Sequence, residues 1–116
     1  MKSEKGELDR IDHITLQVAD IDASLRWYQS SFRCELLTRD KFRAILRFAN
    51  VELTLILPSQ EPNHLAFFRH DAHTLGTLRA RPDGRHSTFI ADPTGNPIEI
   101  VGVPPSEQLA PEQQDD

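Results

Sequence analysis

The folded part of the chain alternates between two hydrophobic periods. Over 11–18, Ile14, Leu16 and Val18 fall on one side and His13, Thr15 and Gln17 on the other, which predicts a strand with one face in a core. Asp20 or Asp22 can cap a helix running to about residue 32, with Ile21, Leu25, Tyr28 and Phe32 on one face. Three short strands are expected next, at 35–38, 43–49 and 51–57, with Asn50 as a turn residue. The pattern then restarts after a Pro-containing linker at 58–62. A strand at 63–68, a helix at 71–81 (Ala72, Leu75 and Leu78 on one side), a turn at Asp83-Gly84 and strands at 86–91 and 97–103 follow. Asp92-Pro93-Thr94-Gly95-Asn96 is a strong turn between the last two.

The order is therefore β-α-β-β-β followed by β-α-β-β, an internal repeat whose second copy reads one strand short. The histidines His13 and His64 are 51 positions apart, and the glutamates Glu52 and Glu99 are 47 apart. Near-equal offsets are what a duplication with a small deletion produces. The fold class expected is α+β, two βαβββ-type modules with the second one shortened, forming a curved mixed sheet around a cavity.

Strand parity puts four residues on the sheet face away from the leucines. His13 opposes Ile14 and Leu16, Glu52 opposes Leu53 and Leu55, His64 opposes Leu65, and Glu99 opposes Ile98 and Ile100. A carboxylate on a sheltered face is costly unless paired. Arg43, Arg47 and Arg85 are the nearest cations in sequence, and a Glu52–Arg47 pair is the plain alternative. A divalent cation satisfies all four groups at once. Two imidazoles with one or two carboxylates suit Fe, Mn, Ni, Co or Zn, and parity does not choose among them.

Composition adds exclusions. The chain has 116 residues, 38% hydrophobic and 27% charged, which describes one ordinary globular domain. A net charge of −5 argues against nucleic acid as partner. The single cysteine, Cys34, cannot form an internal disulfide and reads as a small core residue. No apolar run suggests a membrane span or a signal peptide, so a cytoplasmic protein is expected. Residues 1–10 and 104–116 read as flexible tails around a domain at 11–103. His70, His73 and His86 read as surface or capping residues, and Arg79, Arg81 and Arg85 as a solvated face, with binding of an anionic substrate as the alternative for the arginines. Phe67 is expected in the core and Phe68 at a pocket.

Several stretches resemble the vicinal oxygen chelate superfamily, which includes glyoxalase I, extradiol dioxygenases, methylmalonyl-CoA epimerase and the bleomycin-resistance proteins. Asp12 to Ile21 resembles its first strand and helix start, and Ser24 to Phe32, with Trp27-Tyr28, its first helix. Asn63-His64-Leu65-Ala66-Phe67 resembles its second metal-binding strand. Asp92-Pro93-Thr94-Gly95-Asn96-Pro97-Ile98-Glu99 resembles its closing turn and strand, the most diagnostic match. The resemblance implies His13, His64 and Glu99 as metal ligands, Glu52 as the fourth ligand of glyoxalase I, and Glu99 or Glu52 as a catalytic base. It implies one divalent ion per site, a small-molecule substrate chelated through two adjacent oxygens, stabilisation of an enediolate, and lyase or isomerase activity. It also implies a homodimer in which His13 and Glu52 of one chain meet His64 and Glu99 of the other. Gln17 and Ile56 stand where glyoxalase I has residues that serve glutathione, which removes support for glutathione as the substrate's carrier. The alternatives are a metal-free binding protein of the bleomycin-resistance kind and a three-ligand dioxygenase or resistance transferase.

Overall fold

A computed structural model describes residues 8–104. The expected tails fall mostly outside these residues, and Arg10, assigned to the first of them, opens a strand. The strands are β1 (Arg10–Gln17), β2 (Glu35–Arg39), β3 (Arg43–Arg47), β4 (Glu52–Ile56), β5 (His64–Phe68), β6 (Arg79–Ala80), β7 (His86–Ala91) and β8 (Pro97–Gly102), with one helix, α1 (Ile21–Ser31). They form one mixed eight-stranded sheet in the order β2-β3-β4-β1-β5-β8-β7-β6. The fold is α+β, and the repeat is visible in it: β4, β3 and β2 follow outward from β1 as β8, β7 and β6 follow from β5. By compactness the chain divides into Ile11–Ala66 and the remainder.

In the unit Ile11–Ala66, α1 begins where Asp20, extended in backbone, accepts a hydrogen bond from the Ala23 amide at 3.0 Å. Such a cap is worth about 1 kcal/mol, and Asp20→Ala would remove it. Asp22 in the first turn complements the helix dipole and pairs with the Arg39 guanidinium. The helix stops as Phe32 turns extended. Its buried face, Ile21 and Leu25, packs on Ala44 and Leu46 of β3 and Leu53 and Leu55 of β4, with Ile14, Leu16 and Cys34 around them. Each fully buried leucine contributes about 1.5–3 kcal/mol. β1 pairs parallel with β4, His13 beside Glu52 and Thr15 beside Thr54. β3 pairs antiparallel with β4, Arg47 beside Glu52. These leucines fix the register, because a slip of one residue would turn them out of the core.

In the other unit, β7 and β8 form the hairpin that the sequence predicts, with Phe89 beside Glu99 and Ser87 beside Val101. Asp92 closes it by accepting from the amides of Thr94 and Asn96 and the side chain of Asn96, while Gly95 takes φ +96. These contacts, the Asn96 side chain first, hold the Asp92 carboxyl below its ordinary range.

The expected helix at 71–81 does not form. Only a single 3-10 turn, Ala72–Thr74, remains, and Arg79–Ala80 instead pairs with β7, supplying the strand by which the second copy reads short in sequence. Thr74, Gly76 and Thr77 are poor helix formers, and three apolar positions are too few to hold a helix in place. Packing decides the outcome. A Cβ on Gly102 would lie 2.8 Å from Ala72 Cβ, and one on Gly76 would lie 2.5 Å from Thr88 Oγ1. The chain therefore runs closer to the sheet than a helix allows, and Leu75 and Ile90 stay 40% and 39% exposed. Phe67 is half-buried rather than core, and Phe68, also half-buried, carries the Arg10 guanidinium over its ring.

Candidate metal centre

His13 projects from β1 on the face opposite the leucine core and is buried, as is His64 at the start of β5. Their rings lie edge to face with centroids 6.0 Å apart. Each imidazole is oriented by a neighbour close in sequence. His13 Nδ1 is 2.9 Å from Asp12 Oδ2, and His64 Nδ1 is 2.8 Å from the Pro62 carbonyl oxygen. Both partners only accept, so each Nδ1 carries the proton and donates it. With Nδ1 donating, Nε2 is the nitrogen left for an ion, which is how a metal-ligating histidine is prepared.

Glu99 on β8 is 2% exposed. The buried Ser87 hydroxyl donates to its Oε2 at 2.6 Å. Arg81 donates in turn to Ser87, Nε to the hydroxyl at 2.8 Å and Nη2 to the carbonyl at 3.0 Å. Its guanidinium also lies over the Phe89 ring, 5.2 Å from the centroid. Arg81 is therefore not part of a solvated face. Arg79 is exposed, as expected, and Arg85 is half-buried against Asp83.

One ligand atom each from His13, His64 and Glu99 lies within 4.8 Å of the other two. Nitrogen and oxygen ligands sit ~2.0–2.2 Å from a zinc-type ion, so this donor set is of the right chemistry and within reach of closing on one ion. Glu52 is half-buried and in register beside His13, outside the group of three. The alternative partner for it, Arg47, has its own ion pair with Glu35 at 3.4 Å.

Ser87 and Glu61 were not singled out by sequence, and Arg81 was placed only on a solvated face. Glu61 Oε1 lies 3.7 Å from His64 Nε2. Ser87 could have been found, because it stands two residues before Phe89, the cross-strand neighbour of Glu99, and so shares its face. His70 and His73 are exposed, His86 is half-buried, and none of them joins the group.

No protein-family model matches the chain, and no curated protein matches it in sequence. Solved structures do match it in fold. A hypothetical protein from Bacillus halodurans C-125 superposes with a TM-score of 0.66 at 16% identity, over 84% of this chain and 96% of that one. A glyoxalase/bleomycin resistance protein/dioxygenase superfamily member from Vibrio splendidus 12B01 gives 0.65 at 14% identity, covering 83% and 100%. A methylmalonyl-CoA epimerase in complex with methylmalonyl-CoA gives 0.66 at 21% identity, covering 85% and 97%. At these identities the likeness establishes the fold: this chain is built on the glyoxalase-type fold of paired βαβββ modules.

Proposed function

We propose that this chain is a metal-dependent lyase or isomerase of the glyoxalase type, holding one divalent ion on His13, His64 and Glu99. The observation that carries the reading is the buried trio itself, its imidazoles already donating through Nδ1 and its carboxylate already held through Oε2. When bound, the ion supplies Lewis-acid charge to two adjacent substrate oxygens as a proton leaves the neighbouring carbon.

The chain's own residues divide the remaining work. Asp12, Pro62 and Ser87 orient the three ligands. Of the two candidate bases, Glu99 is pinned by Ser87 and serves as a fixed ligand. Glu52 stands beside His13 and is half-buried, so it can take a proton without leaving a fully desolvated site. Glu52 is also the candidate fourth ligand. The fold shared with an epimerase makes epimerisable thioesters the first substrates to try, before 2-oxoaldehyde–thiol adducts and catechols. A cytoplasmic protein fits the lone Cys34, and among the described residues no helix is long and apolar enough to cross a membrane. We assign it as a homodimer. A monomer mass by light scattering, with metal still bound, would rule that out.

The test is elemental analysis of the purified protein beside a His64→Ala variant. Stoichiometric divalent metal, lost in the variant, is the expected result. No metal after incubation with Fe(II), Mn, Ni, Co and Zn would sink the reading and leave a metal-free small-molecule binding protein.

A further inference from the structure

In the unit Ile11–Ala66, the strand face opposite the leucine core carries more polar chemistry than the metal ligands use. Thr15, Thr54 and Arg43 are buried on it. Thr15 and Thr54 stand side by side across the β1–β4 ladder, and Arg43 lies on the next strand beside Ile56, two residues along from Thr54. Among the described residues, the buried side-chain polar atoms without a hydrogen-bond partner are Thr15 Oγ1, Thr54 Oγ1 and Arg43 Nε. Native domains hold few such atoms, and three gathered on one face call for a common partner.

The charge of Arg43 is also poorly matched. Its Nη1 is 3.9 Å from Glu61 Oε2, and the other oxygen of that carboxylate is 3.7 Å from His64 Nε2. Both separations exceed a hydrogen bond. One loop carboxylate thus lies between a buried, permanently charged guanidinium and the nitrogen that the metal reading assigns to the ion. A planar guanidinium prefers a carboxylate bound closely, through paired donors.

We propose that Arg43 anchors a carboxylate of the substrate, with the Thr15 and Thr54 hydroxyls as further donors, and that Glu61 marks the place this carboxylate takes. The proposal rests on the metal reading and narrows it. The substrate is a small organic acid that carries a separate carboxylate besides the pair of oxygens presented to His13, His64 and Glu99. Glu61 is displaced when it binds.

Isothermal titration with 2-oxoglutarate and its 5-methyl ester tests this. The acid has adjacent oxygens for an ion and a distant carboxylate, and the ester lacks only the distant charge. Wild type, Arg43→Met, Arg43→Lys and Glu61→Gln are compared, each with its metal content measured and its fold checked by circular dichroism. Wild type should bind the acid about 10–100-fold more tightly than the ester, the range that a charge-assisted hydrogen bond supplies. Arg43→Met should erase the preference, Arg43→Lys should keep part of it, and Glu61→Gln should raise affinity for the acid, all at unchanged metal content. Equal binding of acid and ester, no binding of the acid, or a preference that survives Arg43→Met overturns the proposal and leaves the metal reading standing. Absence of metal from wild type overturns the metal reading instead, and the acid–ester comparison still decides the role of Arg43. If Arg43→Met does not fold, unchanged affinities in both Arg43→Lys and Glu61→Gln overturn the proposal.

Discussion

Replacing Ser87 by alanine removes one oxygen and two hydrogen bonds. That oxygen accepts from Arg81 Nε at 2.8 Å and donates to Glu99 Oε2 at 2.6 Å. The two losses are unequal. Arg81 is half-buried, keeps its bond to the Ser87 carbonyl, and can turn its Nε toward water. Glu99 is 2% exposed, so its Oε2 loses this donor inside the protein. A buried acceptor that loses its donor destabilises a fold by about 1–3 kcal/mol. Partners that orient a metal ligand weigh about 10–100-fold in metal affinity, or about 1.4–2.7 kcal/mol. Competition against a chromophoric chelator measures the second effect, and urea unfolding in EDTA measures the first. Ser87→Ala should show both. Lower stability with metal affinity equal to wild type would mean that Ser87 is a structural residue and that Glu99 is not oriented by it. No change in either would mean that the Arg81–Ser87–Glu99 chain does not exist in solution.

Three further outcomes are expected. Glu52→Gln should keep the metal while turnover falls by about 10²–10⁴-fold, the usual loss for a general base, and loss of the metal would make Glu52 a ligand instead. Gly102→Ala should lower stability by about 1–3 kcal/mol, because its Cβ meets Ala72 Cβ at 2.8 Å; an unchanged urea midpoint would refute the close packing there. The Asp92 carboxyl is held below its ordinary range in the folded chain, so its stabilising contribution is present above the unfolded value and is lost as pH falls through the folded one. Asp92→Ala should therefore lose less stability than wild type in urea melts taken from pH 5 downward, and parallel curves would contradict the turn geometry.

The first module was legible almost residue by residue because its signals are local. Asp20 caps the helix it precedes, and the alternation through β1 and β4 fixes which side of each strand meets the core. The same parity set His13, Glu52, His64 and Glu99 opposite the apolar residues of their own strands without any knowledge of distance, and it could not tell that Glu52 stands outside the group of three. The second module was legible only in its hairpin, where the Asp92–Asn96 turn is a chemical signature. Its helix was misread because Ala72, Leu75 and Leu78 carry a helical spacing that the close approaches at Gly76 and Gly102 override. Arg81 and Ser87 escaped for a related reason. Their contact spans the turn at Asp83-Gly84, and it depends on the β6–β7 register, Arg79 beside Ser87, which two residues of strand do not announce.

The parallel pairing of β1 with β4 has a bearing on inheritance. A one-residue slip of β4 along β1 would move Glu52 from beside His13 to the opposite side of the strand. The same error would swing Leu53 and Leu55, 8% and 0% exposed, toward solvent. Such a chain would be removed by proteolysis as unfolded before it could persist as a folded protein with a scrambled site. The leucines thus act as a proofreader for the chemistry on the other side of their own strand. Variants that survive in a population should differ here by substitution, with changes of length confined to the loops outside this ladder.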